Sequence, residues 1–203
     1  GSTMKPFAIA LALEEGKVRP ETLIQTAPGK LTIGTATISD AHVHGLLTVS
    51  QVIQKSSNVG AAKIAGQMTP AEMWAMFNSL GFGSPLKLGF PGEVGGRLRP
   101  AKTWKPIEQA TMAYGYGVSV SALQLARAYT VFTNDGVLLP ATFLKRDGDV
   151  IGRQILSANT ARAMVKMLEA VTQQGGTATK GQVPGYRVAG KTGTAYKLVN
   201  GQY

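Results

Sequence analysis

The chain has 203 residues, 44% hydrophobic and 16% charged, enough for one sizeable core in one lobe or two. It holds no cysteine, which excludes disulfides, thiolate catalysis and cysteine-ligated metals. With 21 basic against 11 acidic residues, its formal charge of +10 suits anionic partners.

In chain order, Phe7, Ile9, Leu11 and Leu13 are set among alanines between Ser2 and Glu15, and Gly16 follows as a stop, so a mostly buried helix is expected. Pro6 requires that helix to start near Gly1 or Ser2, because proline is tolerated only where its missing N–H would be unpaired. Residues 30–46 look extended, and His42 and His44 would then share one strand face. No third ligand stands at a suitable spacing, so no metal site is assigned. Two short helices flank "KSSN", from about Thr48 and about Val59. In "TPAEMWAMFNSLG", Thr69 is an N-cap, Pro70 opens the helix, Glu72 completes a capping box and Gly81 stops it. Glycine and proline punctuate residues 81–106, a long irregular segment in which basic residues are densest from Lys87 to Lys105. A second capping box, Ser121 with Gln124, opens a helix running to about Asn134. "KRDGDV" reads as a hairpin turning at Asp147-Gly148, and a long helix spans about Ser157 to Gln173. No apolar run approaches the roughly 18 residues of a membrane span, and no aromatic-interleaved basic motif points to nucleic acid.

The stretch "PGYRVAGKTGTAYKLVNG" carries two incompatible patterns. Gly185 to Thr192 satisfies G-x-x-x-x-G-K-[ST], the phosphate-cradling loop, which demands a buried strand before it and a helix starting at Lys-Thr. Neither flank fits: "TKGQVP" is no apolar strand, and "GTAYKLVNGQY" is β-prone and ends in an Asn200-Gly201 hairpin signal. A strand over 187–199 is expected instead, with Gly190 and Gly193 leaving room for a substrate close to the backbone.

A strand bearing Lys-Thr-Gly calls for a serine with a lysine one helical turn on, and for a second serine with an amide partner. Ser2-Thr3-Met4-Lys5 opens the first helix, where an i,i+3 spacing brings the Ser2 hydroxyl and the Lys5 amine together. Ser56-Ser57-Asn58 lies at the junction of two helices. Each short pattern also has a decoy. Ser84-Pro85-Leu86-Lys87 sits in a proline-broken loop, and Ser157-Ala158-Asn159 is better explained as a helix cap.

These motifs, in this order, resemble the transpeptidase domain of class B penicillin-binding proteins, and the resemblance covers essentially the whole chain. "AYGYGVSVSALQLARAYTVFTNDGVLLP" and "GGTATKGQVPGYRVAGKTGTA" are similar to the division-specific, septal branch of that class. The resemblance implies an α/β (α+β) fold with a helical lobe and an antiparallel sheet. It also implies that residues 1–203 are the core of a single transpeptidase domain, truncated so that flanking strands are absent. It carries Ser2 over as the acylated nucleophile, Lys5 as its base and Ser56 as proton relay. Asn58 would bind the substrate amide, Lys191, Thr192 and Thr194 would meet the terminal carboxylate, and Gly193 stands among them as a substrate-binding position. The implied partners are peptidoglycan stem peptides, β-lactams bound covalently at Ser2, and divisome proteins. The implied place is the periplasmic face of the inner membrane, held by an anchor outside this chain. No cofactor and no metal is implied.

Two other readings share the same serine. A serine β-lactamase would carry a base that hydrolyses the acyl-enzyme; no E-x-x-N or Y-x-N is found, and Ser57 stands where class A enzymes usually have Asp. A non-catalytic β-lactam sensor would acylate without turning over a peptide or thioester.

Overall fold

A computed structural model describes residues 1–145 and 147–195. The first helix, α1 (Lys5–Glu14), follows a 3₁₀ turn over Ser2–Met4 and has Pro6 in its first turn, as the missing N–H demands. Residues 5–12 are all buried, so α1 is enclosed on every side and forms the axis of the core. Phe7 is completely buried, stacked on Phe132 at 5.4 Å and edge-on to Phe82 and Tyr129 at 5.6 and 5.1 Å. Truncating a side chain so placed typically costs about 3–5 kcal/mol.

The next segment gives β1 (Leu23–Gln25), β2 (Lys30–Ile33), β3 (Ala36–Ser39) and β4 (Leu46–Thr48). The extended stretch expected over 30–46 is thus broken: β2 and β3 form a hairpin through Gly34, and β4 pairs with β1. Residues 40–45 belong to no strand, which corrects the shared strand face expected for His42 and His44. Asp40 carries the chain away from the ladder because its carboxylate is taken by another element, described below.

Helices α2 (Val49–Lys55) and α3 (Asn58–Ala65) meet at Ser56-Ser57. Thr48 and Gln51 form a reciprocal capping box on α2, and the Ser57 hydroxyl accepts from Gly60 N to cap α3. The box of Thr69 and Glu72 starts α4 (Pro70–Ser79), and Gly81 beyond its end adopts φ +90°. The segment that follows is irregular except for β5 (Arg97–Leu98) and a 3₁₀ turn. Then come α5 (Pro106–Met112), β6 (Val118–Ser119) and α6 (Ala122–Thr133), the last opened by the box of Ser121 and Gln124.

Two strands, β7 (Val137–Leu138) and β8 (Arg153–Gln154), pair across a long connection that contains Asp147-Gly148. The short hairpin expected there is absent among the described residues. Gly148 does take φ +86°, but "KRDGDV" offers almost no apolar face to pack, so no ladder grows from the turn. Helix α7 (Ala158–Thr172), capped by Ser157, lies against α1, α2 and α6. Among the described residues the antiparallel pairing is divided over four two-stranded ribbons, β1–β4, β2–β3, β5–β6 and β7–β8.

Candidate active site

The 3₁₀ turn before α1 sets the first pair. Side chains three residues apart eclipse in such a turn, and Lys5 Nζ stands 3.0 Å from Ser2 Oγ. Among the described residues Lys5 is the only buried cation, fully enclosed. Its amine also donates to Ser56 O at 2.5 Å, Asn58 Oδ1 at 2.7 Å and Ser56 Oγ at 3.2 Å. Burial, then the positive charge of Lys191, push its pKa down to about 7, and Asp40 opposes them.

The four acceptors are not alike. Ser56 O and Asn58 Oδ1 can only accept, so in the neutral amine they occupy its two N–H bonds. The lone pair is then left to the two hydroxyls, Ser2 Oγ and Ser56 Oγ, which can donate to it. The surroundings therefore favour the neutral amine and orient it toward serine.

Ser56 closes α2 with φ 59° and ψ 36°, the left-handed region that non-glycine residues seldom occupy. This bend turns its carbonyl and its hydroxyl toward Lys5, and such strain persists only where the surroundings over-determine it. Asp40 does so: its carboxylate accepts from Ser57 Oγ at 2.7 Å, Asn58 N at 2.5 Å and Val59 N at 2.9 Å. Asn58 Nδ2 donates to Ser39 O at 2.9 Å, which fixes the amide with its oxygen toward Lys5.

From the opposite side, Lys191 Nζ reaches Ser56 Oγ at 2.8 Å, so that one hydroxyl bridges two amines. Burial lowers the Lys191 pKa to about 8. Thr192 Oγ1 shares a 2.8 Å hydrogen bond with Thr177 Oγ1. Residues 187–195 form no hydrogen-bonded ladder among the described residues, a correction to the expected strand. They are tethered to α7 instead: Thr172 Oγ1 donates to Val188 O, and Gly190 N to Leu168 O at 3.2 Å. The Asn200-Gly201 turn lies outside the described residues. No helix starts at Lys191-Thr192, so the geometry of a phosphate loop is not met.

Gly190 has open space around it, but Gly193 does not: a Cβ there would stand 2.8 Å from Thr3 Cγ2. What approaches Gly193 is thus the start of α1 rather than an empty substrate path. The close fit sets Thr194 beside the Ser2 turn. Ser2, Ser56, Asn58, Thr192 and Thr194 line one cleft of about 500 Å³. All eight residues picked from the sequence are brought to this one place, and both decoys lie elsewhere. Lys87 sits in an irregular loop at φ 61°, and Ser157 caps α7 while donating to Glu14.

Five contributors were not foreseen. Asp40 and Thr177 carry no sequence signal, since a lone carboxylate and a loop threonine are common. His42 lines the cleft rim. Tyr114 and Tyr116 form its wall, with the Tyr114 ring 5.8 Å from Lys5 Nζ. The alternation Tyr114-Gly115-Tyr116-Gly117 was a legible signal. Both glycines have positive φ, and Gly115 lies so close to the backbone of Gly1 that no side chain fits.

Residues 1–203 match the family described as the penicillin binding protein transpeptidase domain. The chain is 50% identical over 203 residues to the probable peptidoglycan D,D-transpeptidase PenA of Neisseria flavescens, covering 100% of this chain and 50% of that protein. It is 37% identical over 198 residues to the peptidoglycan D,D-transpeptidase FtsI of Escherichia coli K12, covering 98% and 33%. Among solved structures, the apo TP domain of Burkholderia pseudomallei penicillin-binding protein 3 superposes with a TM-score of 0.96 at 52% identity, covering 98% of this chain and 61% of that one. The chain thus spans between a third and a half of the length of these curated relatives.

Proposed function

Because the chain belongs to the penicillin-binding-protein transpeptidase family, we propose that its cleft performs serine acyl transfer on peptidoglycan stem peptides, with Ser2 as nucleophile and Lys5 as its base. The observation that carries this reading is the enclosed Lys5 amine, whose two N–H bonds are held by acceptor-only oxygens while its lone pair faces Ser2. Ser2 Oγ attacks the carbonyl of the penultimate D-alanine and gives its proton to Lys5 Nζ. The C–N bond then breaks, and the departing amine takes a proton through Ser56 Oγ. The Ser2 and Thr194 N–H groups are the proposed oxyanion donors. Lys191, Thr192 and Thr194 receive the terminal carboxylate, and Asn58 the substrate amide. In the second half an acceptor amine attacks the ester, its proton leaves through the same amine, and Ser2 is restored.

The finer assignment is to the septal, division-specific branch, in a longer protein held at the periplasmic face of the inner membrane among divisome proteins. The likeness to FtsI and the sequence resemblance support it. In this reading residues 1–203 are the core of a single transpeptidase domain.

The test is intact mass after incubation with penicillin, followed by peptide mapping. One adduct carrying the whole antibiotic mass on Ser2 is expected. An adduct on Ser84, or none on a folded chain, overturns the proposal.

A further inference from the structure

The cleft does not end at its tyrosine wall. Tyr114 and Tyr116 also line an adjoining hollow of about 380 Å³, whose far side is formed by Arg99 and Gly117. Those two residues in turn line a third hollow, of about 280 Å³, with Arg97 and Ser119. Through these shared residues the three hollows follow one another from the Ser2 cleft to the β5–β6 ribbon, a stepped trench with the tyrosines as its first step.

The ribbon determines what the trench presents. Arg97 pairs with Ser119 and Leu98 with Val118, and side chains alternate along a strand. Leu98 packs toward the core, so Arg97 and Arg99 fall on the other face. Gly117 keeps the floor open: it holds φ +83°, and a Cβ there would stand 3.3 Å from Met112 Cε and 3.6 Å from Arg99 Nη2.

Glu108 orients the inner arginine. One of its oxygens pairs with Arg99 Nη2 at 2.8 Å, and the other accepts from Lys105 N, capping α5. Arg99 is thereby fixed and half neutralised. Arg97 is exposed and makes no ion pair among the described residues, which leaves its planar fork for an incoming anion.

We propose that this trench is a second anionic subsite, which takes a side-chain carboxylate from the interior of the peptide substrate, beyond the residues being cut. The inference rests on the acyl-transfer reading of the cleft, whose Lys191 end receives the terminal carboxylate. The Tyr114–Tyr116 pair, with centroids 5.7 Å apart, separates the two anionic ends and gives the intervening peptide an apolar wall.

The test separates binding from chemistry by using Ser2→Ala, which cannot be acylated. Two fluorescent peptides ending in D-Ala-D-Ala are compared by anisotropy, one with an interior side-chain carboxylate and one with the carboxamide in its place. The carboxylate peptide should bind about 10-fold tighter at low salt, and the preference should shrink as salt screens the exposed guanidinium. Adding Arg97→Ala should reduce it to under about 2-fold, while Arg97→Lys, which keeps charge but loses the fork, should fall between. Equal binding of the two peptides, or a preference that survives Arg97→Ala, overturns the subsite. Penicillin acylation of the unsubstituted chain tests the acyl-transfer reading separately. A carboxylate preference without acylation would sink the chemistry and leave the subsite standing.

Discussion

The two walls of the cleft are built differently. On one side Lys5 opens a helix that runs through the middle of the core, with Ser2 in the 3₁₀ turn leading into it, and Lys5 is as buried as Phe7. On the other, Lys191 and Thr192 sit on a segment without a ladder, held to α7 through Val188 O and Gly190 N and to Thr177 through one hydroxyl pair. The side that bears Ser2 and Lys5 is fixed by packing, and the side that bears Lys191 and Thr192 by a few polar tethers. Damage should therefore be abrupt on the first wall and graded on the second.

The strongest attempt to break that contrast is Lys5→Arg. It keeps the charge but cannot supply a neutral base near pH 7, so acylation should fall by about 10³-fold or more, with folding checked by circular dichroism. Acylation at the parent rate would remove Lys5 from its proposed role.

Lys191→Ala should cost less, about 10- to 100-fold in acylation, because binding groups around it remain. It also carries a signed pH effect. In the parent, acylation should rise with pH as Lys5 deprotonates near about 7 and decline as Lys191 loses its proton near about 8. Removing Lys191 takes away a charge that lowers the Lys5 pKa, so the acid limb should move up and the alkaline limb should vanish.

Asp40→Asn sharpens the comparison by reversing that sign. Asp40 raises the Lys5 pKa, so its neutralisation should move the acid limb down. It also weakens the anchoring of Ser57 and Asn58, for a rate loss of about 10-fold. A pH–rate profile for each variant reads both effects. If the two limbs shift the same way, the charges are not acting through Lys5.

The smallest effect is expected at a tether. Thr172→Val keeps the shape of a buried side chain but removes the hydroxyl that donates to Val188 O, at about 1 kcal/mol of stability by thermal melting. Acylation should drop only a few-fold. A loss as deep as that of Lys5→Arg would mean the second wall is no looser than the first.

The same contrast governs what could be foreseen. Caps and periodicity are local, so helices α1, α2, α4 and α6 were legible from Pro6, Thr48, Thr69 and Ser121. The motifs named the eight site residues because their order and spacing survive in one dimension. Long-range pairing is not local. The 187–199 stretch has strand composition, yet a ladder needs a partner strand, and its described residues find α7 instead. Asp40 acts across 18 positions on Asn58 N, a contact that neither residue's neighbours announce.

The bend at Ser56 limits which residues can ever replace it. Chemistry asks that position for a hydroxyl between two amines, and the backbone asks for tolerance of φ 59°. Threonine meets the first demand and, being β-branched, fails the second. Glycine meets the second and fails the first. The most conservative exchange by chemistry is therefore the one the backbone resists most, and serine is left with no neutral neighbour through which drift could pass.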